Sequence, residues 1–233
     1  MKKAFNMAKG ILFDFNGTLF FDTELHIKAF EAVFPIYGKP KPTREFIISN
    51  LLGRTNERIY KDNFDLEASA EDCAEFNRRK VGLYFDFCLA DSEIFGLTRG
   101  AEKMLDYLKE KGIPYTIATG SDRGEVDFFF EHLGLARWFS VDRMVYTDGS
   151  FNGKPAPDCY LLAAEKIGLT ANECIVFEDG TSGITAAQRA GAAGIVAVYE
   201  EGVPSPIKEG MRVDRVCHDL SDWKNILSDY GLA

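Results

Sequence analysis

No apolar run in the sequence approaches the roughly 20 residues needed to cross a bilayer, so no membrane-spanning helix and no membrane partner are expected. Cysteine is sparse: Cys73, Cys88, Cys159, Cys174 and Cys217 are scattered, odd in number, and form no Cys-x-x-Cys pair. That disfavours a zinc site and a disulfide framework and suits a reducing, cytoplasmic setting. Positive charge is in deficit, with 27 Lys and Arg against 36 Asp and Glu and a formal net charge of −9. The basic footprint of a nucleic-acid binder is therefore missing. An anionic small molecule would need a local cationic site that overrides the global field. The opening stretch MKKAFNMAKG is basic, but Asp14 interrupts the apolar run behind it, so no secretory signal is expected.

What is present is core-forming material. Apolar residues make up 46% of the 233, enough for a substantial core, and the length suits one large domain or a core with an insert. Short runs rich in Val, Ile, Phe and Tyr predict buried strands at 9–15 (KGILFDF), 113–119 (IPYTIAT), 143–147 (RMVYT), 174–179 (CIVFED) and 194–199 (GIVAVY). Helical patterns fall between them. In GAEKMLDYLKEKG, Ala101, Met104, Leu105 and Leu108 form one stripe and Gly112 is a stop signal. PDCYLLAAEKIGL and GITAAQRAGA also read as helices. The alternation predicts an α/β fold, a parallel sheet with helices on both faces. Residues 22–95 break that rhythm and read as helical throughout, without a strand. The expected organisation is a core of residues 1–21 and 96–233 with a small helical domain, 22–95, inserted between the first two core strands. Hinges are expected near 20–23 and 92–98.

Ligands of an open parallel sheet bind beyond the carboxyl ends of its strands. Asp14, Thr119 and the pair Glu178 and Asp179 each sit where a predicted strand ends, and Lys154 follows another in the loop NGKPAPD. Their meeting on one edge is a stronger signal than any one of them. In LFDFNGTL, Asp14 reads either as a turn-forming Asp before Asn16 and Gly17 or as a carboxylate nucleophile forming an acyl phosphate. Gly17 permits a sharp turn and Thr18 is placed to hydrogen-bond within it. Glu178 and Asp179 read either as a solvated acidic pair or as part of a cation site. Mg²⁺ takes one or two protein carboxylates plus waters and phosphate oxygens. Asp14 and Asp179 meet that need, with Glu178 assisting directly or through water and the Asn16 carbonyl as a further ligand. Lys154 reads either as a surface lysine or as an ammonium fixed on a phosphate and on Asp14. Thr119, Gly120 and Ser121 read either as a helix cap or as hydroxyls and N–H groups for a phosphate at a helix N-terminus.

Four stretches in order, DFNGTL, Thr119, Lys154 in GKPAPD, and EDGTSG, together resemble the haloacid dehalogenase superfamily. The resemblance covers nearly the whole chain. DTELH and GAEKMLDYLKEKG resemble the segments flanking the small helical cap in its phosphatase and β-phosphoglucomutase branch. The resemblance implies a Rossmann-like core and Mg²⁺-dependent phosphoryl transfer to Asp14. Thr119 and Lys154 would bind phosphate, and Glu178 and Asp179 would form the metal site.

In this family the residue two beyond the nucleophile is usually a second Asp, which protonates the leaving oxygen and then activates water. Here it is Asn16, and a carboxamide does not shuttle protons near neutral pH. A slowed phosphatase of a small phosphorylated metabolite, such as a sugar phosphate, is the expected function. A phosphomutase, a metal-independent haloacid dehalogenase, a phosphonate hydrolase and a largely inactive phospholigand binder are the alternatives. His26 in DTELH is a candidate proton carrier from the cap, against a packed histidine. Arg54 in LLGRTNE is a candidate contact to the substrate, against a solvated arginine. The aromatics Tyr84, Phe85 and Phe87 read as cap core, and the chain as a monomer.

Overall fold

A computed structural model describes residues 7–233. Residues 1–6, which carry much of the basic stretch on which the expectation about a secretory signal rests, lie outside the described residues. The chain forms two compact units, one of residues 1–21 and 97–233 and one of residues 22–96.

The first unit is built on six parallel strands: β1 (Gly10–Phe13), β2 (Tyr115–Asp122), β3 (Val145–Thr147), β4 (Cys174–Glu178), β5 (Gly194–Val198) and β6 (Arg215–Cys217). Their order is β3-β2-β1-β4-β5-β6, the doubly wound order of a Rossmann-like α/β fold, in which the direction of winding reverses between β1 and β4. Five strands fall where the apolar runs predict them. β6 does not announce itself, because an edge strand of three half-exposed residues leaves no apolar run.

Every residue of β1, β4 and β5 is buried, which requires cover on both faces. Side chains alternate across a strand. Leu12, Val176, Ile195 and Ala197 point to one face, where they pack with Cys159, Tyr160, Ala163, Ile184 and Ala187. Those partners belong to α7 (Asp158–Lys166) and α8 (Thr181–Ala190). Ile11, Phe13, Ile175, Phe177 and Val196 alternate with them and are equally buried, with the Phe13 and Phe177 rings 5.1 Å apart. Helix α5 (Ala101–Lys111) buries the four residues of its expected stripe and ends on Gly112 at φ 65. Its Tyr107 ring lies 4.9 Å from Trp223 of α9 (Trp223–Asp229). Helix α6 (Arg123–His132) follows β2 directly.

The second unit consists of α1 (Thr23–Ile36), α2 (Arg44–Asn50), α3 (Asn56–Asn63) and α4 (Ala70–Ala90). Thr43, Thr55 and Ser69 cap the last three through their side-chain oxygens, as expected of hydroxyls at helix starts. The core holds Phe30, Val33, Phe34, Ile47, Ile59 and Phe76, with Tyr37, Tyr60 and Phe64 packed on it. Of the aromatics read as core, Tyr84 is fully buried, while Phe85 and Phe87 are half-buried. No helix among the described residues is long and apolar enough to cross a membrane.

Candidate active site

Strand alternation decides what meets at the carboxyl edge. Asp14 follows β1 in phase with Leu12, and Glu178 ends β4 in phase with Val176. Both carboxylates therefore face α7 and α8. The ladder continues through this point, since the Asp14 N–H donates to the Phe177 carbonyl at 2.9 Å. The two carboxylates lie at the switch point between β1 and β4, the expected ligand position of this topology.

Lys154 completes the pair. Its Nζ donates to Asp14 Oδ1 at 2.5 Å and to Glu178 Oε1 at 2.6 Å. The groups are almost dry: Asp14 is 6% and Glu178 2% exposed. Burial works to lower the Lys154 pKa, but the charges of Asp14 and Glu178 hold it well above its usual value. The lysine is thus a fixed cation. Its loop is tethered by Arg189 of α8, which donates to the Pro155 carbonyl at 2.9 Å, and by Asp158, which accepts from the Asn152 backbone and side chain, each at 3.1 Å.

Both Glu178 oxygens are committed. Besides Lys154, Oε1 accepts from the Tyr160 hydroxyl at 3.0 Å, and Oε2 accepts from the Gly180 N–H at 2.6 Å. Tyr160 is fully buried, and burial first, then the Glu178 charge, pushes its pKa well above the usual value, so it remains a phenol. Lys154 Nζ also stands 4.9 Å from the Tyr160 ring centroid. From the sequence, Tyr160 reads only as one residue of a helix. The available signal is a tyrosine on an apolar helical stripe, since a buried phenol needs a hydrogen-bond partner.

Two glycines let the acids approach. Gly17 sits at φ 78, and a Cβ there would lie 2.1 Å from Asp179 Oδ2, so the turn after β1 and the Asp179 carboxylate are in direct contact. A Cβ on Gly183 of α8 would lie 1.5 Å from Glu178 Oε1. Gly183→Ala is accordingly expected to destabilise the fold by the roughly 1–3 kcal/mol of an overpacked core. Gly180→Ala, where the nearest atom is 3.5 Å from the added carbon, is expected to cost less. Urea unfolding of the two variants makes the comparison.

Asp14, Glu178 and Asp179 bring one oxygen each within 4.8 Å of one another. Three carboxylates against one ammonium leave the cluster negative, and hard oxygen donors suit a hard divalent cation. Because Lys154, Tyr160 and Gly180 occupy Glu178, the residues best suited to hold a metal directly are Asp14 and Asp179, with Glu178 behind them.

The remaining predicted residues divide. Asn16 Oδ1 accepts from the Ser121 hydroxyl at 3.0 Å, and the Ser121 N–H donates to Thr119 Oγ1 at 3.1 Å. These contacts join the turn after β1 to the end of β2. The expectation that Thr119, Gly120 and Ser121 follow a strand and offer a helix N-terminus is corrected. β2 runs on to Asp122, because Asp122 pairs with Thr147 beyond a register shift and the Thr147 hydroxyl donates to the Gly120 carbonyl at 3.0 Å. Helix α6 is capped by Asp122 itself, in a reciprocal arrangement with Glu125. Thr18 hydrogen-bonds within the turn through its backbone, its N–H donating to the Phe15 carbonyl at 3.2 Å, while its hydroxyl is buried without a hydrogen-bond partner among the described residues and its carbonyl accepts from the Thr98 hydroxyl at 2.9 Å.

His26 and Arg54 belong to the second unit. His26 Nδ1 lies 2.8 Å from Lys80 Nζ and Nε2 3.2 Å from Asp22 Oδ2. The ring stacks on Tyr84 at 4.4 Å, and Tyr84 donates to Asp22 at 2.7 Å. Since an ammonium only donates, Nδ1 accepts, and Nε2–H faces Asp22. Both ring nitrogens are engaged inside this unit. Arg54 follows Gly53, at φ 75, and lies 3.4 Å from Asp62.

Residues 8–191 match the haloacid dehalogenase-like hydrolase family. A phosphorylated carbohydrates phosphatase of Thermotoga maritima is 30% identical over 97% of this chain and 93% of its own. A fructose-1-phosphate phosphatase of Escherichia coli is 31% identical over 78% of this chain and 92% of its own. The crystal structure of a HAD hydrolase, family IA, variant 3, from Entamoeba histolytica superposes with a TM-score of 0.85 at 34% identity, over 96% of this chain and 98% of that one.

Proposed function

Because this chain belongs to the haloacid dehalogenase-like hydrolases and is an enzyme of their phosphatase type, we propose that it hydrolyses a small phosphorylated metabolite, of the sugar-phosphate class, through a phosphoryl group carried on Asp14. The observation that carries this reading is the buried Asp14–Lys154–Glu178 cluster with Asp179 beside it. The names of the two related phosphatases support the substrate class.

The chemistry follows from the side chains. An Asp14 carboxylate oxygen attacks phosphorus and forms an O–P bond, while the ester O–P bond breaks and the leaving oxygen takes up a proton. Water then attacks the aspartyl phosphate, releasing inorganic phosphate and regenerating Asp14. Lys154, held as an ammonium against Asp14, offsets charge on the phosphoryl oxygens. In this reading Thr119 and Gly120, within the last four residues of β2, bind the phosphoryl group together with Lys154. Bound to Asp14, Asp179 and the Asn16 carbonyl, Mg²⁺ would supply charge neutralisation for the phosphoryl oxygens. Asn16 stands where the family usually has its proton carrier, so turnover of poor leaving groups is slow. Residues 22–96 serve as the cap that selects the substrate, with Arg54 as its contact residue. The protein acts as a cytoplasmic monomer.

The test is phosphate release from a panel of sugar phosphates and from p-nitrophenyl phosphate, with Mg²⁺ and with EDTA. Turnover that EDTA abolishes and Mg²⁺ restores is expected. Halide release from 2-haloacids in EDTA, with no phosphate release in Mg²⁺, would replace this reading by the dehalogenase one.

A further inference from the structure

The first unit carries a second concave surface at the opposite end of its sheet, where the strands begin. A cavity of about 460 Å³ opens between Pro114, Tyr115 and Thr116 at the start of β2, Arg143 just before β3, and Ile167 just after α7. Its volume falls within the roughly 300–1,000 Å³ of small-ligand sites. The cluster at Asp14 lies at the carboxyl ends of β1 and β4, on the opposite edge of the same parallel sheet, so the two sites are distinct.

The lining has two halves. Leu108, Ile113 and Ile167 are apolar, and Tyr115, Trp138 and Phe139 are aromatic, with Tyr115 and Phe139 edge to face at 5.4 Å. The Trp138 indole is held in place by its Nε1–H to Asp106 at 2.7 Å, and Tyr115 by its hydroxyl to the Trp138 carbonyl at 3.1 Å. The other half is cationic: Lys109, Arg137 and Arg143 line the cavity, and no Asp or Glu does. In a chain of net charge −9 this is a local reversal of sign.

The three cations are not equivalent. Arg137 is neutralised by Glu102 and Asp106. Lys109 donates only to a neutral carbonyl, that of Arg137, at 2.5 Å. The guanidinium of Arg143 makes no hydrogen bond or ion pair among the described residues, whereas that of every other arginine in the chain does. Two uncompensated cations beside a rigid aromatic wall match a planar ring carrying a dianion. A guanidinium fork fits phosphate oxygens, and a phosphate monoester carries about −1.5 to −2 charges at pH 7.

We propose that this cavity is a second ligand site, separate from the catalytic cluster, for an aromatic organic phosphate of about mononucleotide size. The ring rests against Tyr115 and Trp138, and the phosphate is taken by Arg143 and Lys109.

The probe is AMP, measured by calorimetry in EDTA on the full chain carrying Asp14→Asn, so that the probe is not consumed. Saturable binding is expected, weakened about tenfold or more by Arg143→Glu and unchanged by Lys154→Ala. Adenosine, with the ring alone, and inorganic phosphate, with the charge alone, are each expected to bind more weakly than AMP. Arg143 is exposed, so Arg143→Glu in the otherwise unaltered chain is expected to leave folding and phosphatase activity intact. No saturable binding at millimolar AMP would overturn the proposal. So would binding that Lys154→Ala removes and Arg143→Glu spares, or phosphate binding as tightly as AMP.

Discussion

Asn16→Asp is expected to raise the hydrolysis of an alkyl phosphate by roughly 10²- to 10⁴-fold, the usual worth of a positioned general acid and base. The gain on an aryl phosphate should be smaller. Asn and Asp are nearly the same shape, and the hydrogen bond from the Ser121 hydroxyl to Asn16 Oδ1 at 3.0 Å is one a carboxylate accepts equally well. The turn should therefore keep its form, with the Gly17 N–H on the Phe20 carbonyl at 2.7 Å. What changes is the ability to give a proton to the leaving oxygen and to take one from water. An alkoxide needs that proton and a phenolate hardly does, so the ratio of the two gains isolates proton transfer from any general improvement in binding. Steady-state kcat on a sugar phosphate and on p-nitrophenyl phosphate, for both proteins, gives the ratio. Equal gains on the two substrates would place the effect in the shared hydrolysis of the aspartyl phosphate and not in protonation of the leaving oxygen, and no gain on either would mean that the amide at position 16 is no handicap.

The strands were legible because burial on both faces leaves continuous apolar runs, and the runs ending at Asp14 and Glu178 carry their phase into the site. Given β1 and β4 as neighbours, Leu12 and Val176 already say that the two acids face the same side. Where the signal was local and weak, the reading went astray. β6 is too short and too exposed to leave a pattern. The end of β2 was set by cross-strand pairing of Asp122 with Thr147, which no window along β2 contains. Tyr160 and Gly183 act on Glu178 from two helices that read only as packing, because their roles depend on which strand residue they meet. His26 was visible as a titratable side chain, but its partners, Lys80 and Asp22, lie 54 and 4 residues away and bind it from both sides.

Lys154→Ala is expected to lower kcat/KM by roughly 10²- to 10³-fold, as when one preorganised electrostatic donor is removed. It should also make the fold's stability depend on divalent cations. Removing one partner from a buried ion pair typically costs about 3–5 kcal/mol, because the other charge stays behind without compensation. Here Asp14 and Glu178 would both be left, at 6% and 2% exposure, with Asp179 close by. Tyr160 and the Gly180 N–H would still serve Glu178, so the larger share of the loss falls on Asp14. A divalent cation bound by Asp14 and Asp179 would restore part of it.

The pH dependence has a definite sign. The folded pKa of Lys154 lies above its usual 10.5, so its contribution to stability is fully present below that value and lost as pH rises through the folded pKa. At neutral pH the whole contribution is at stake, and no alkaline limb in the rate profile below about pH 10 should belong to Lys154. Urea unfolding of wild type and variant, each in EDTA and in Mg²⁺, reads the coupling. A variant as stable as wild type in EDTA would show that the two buried carboxylates do not depend on this ammonium, and the electrostatic account of the site would fail with it.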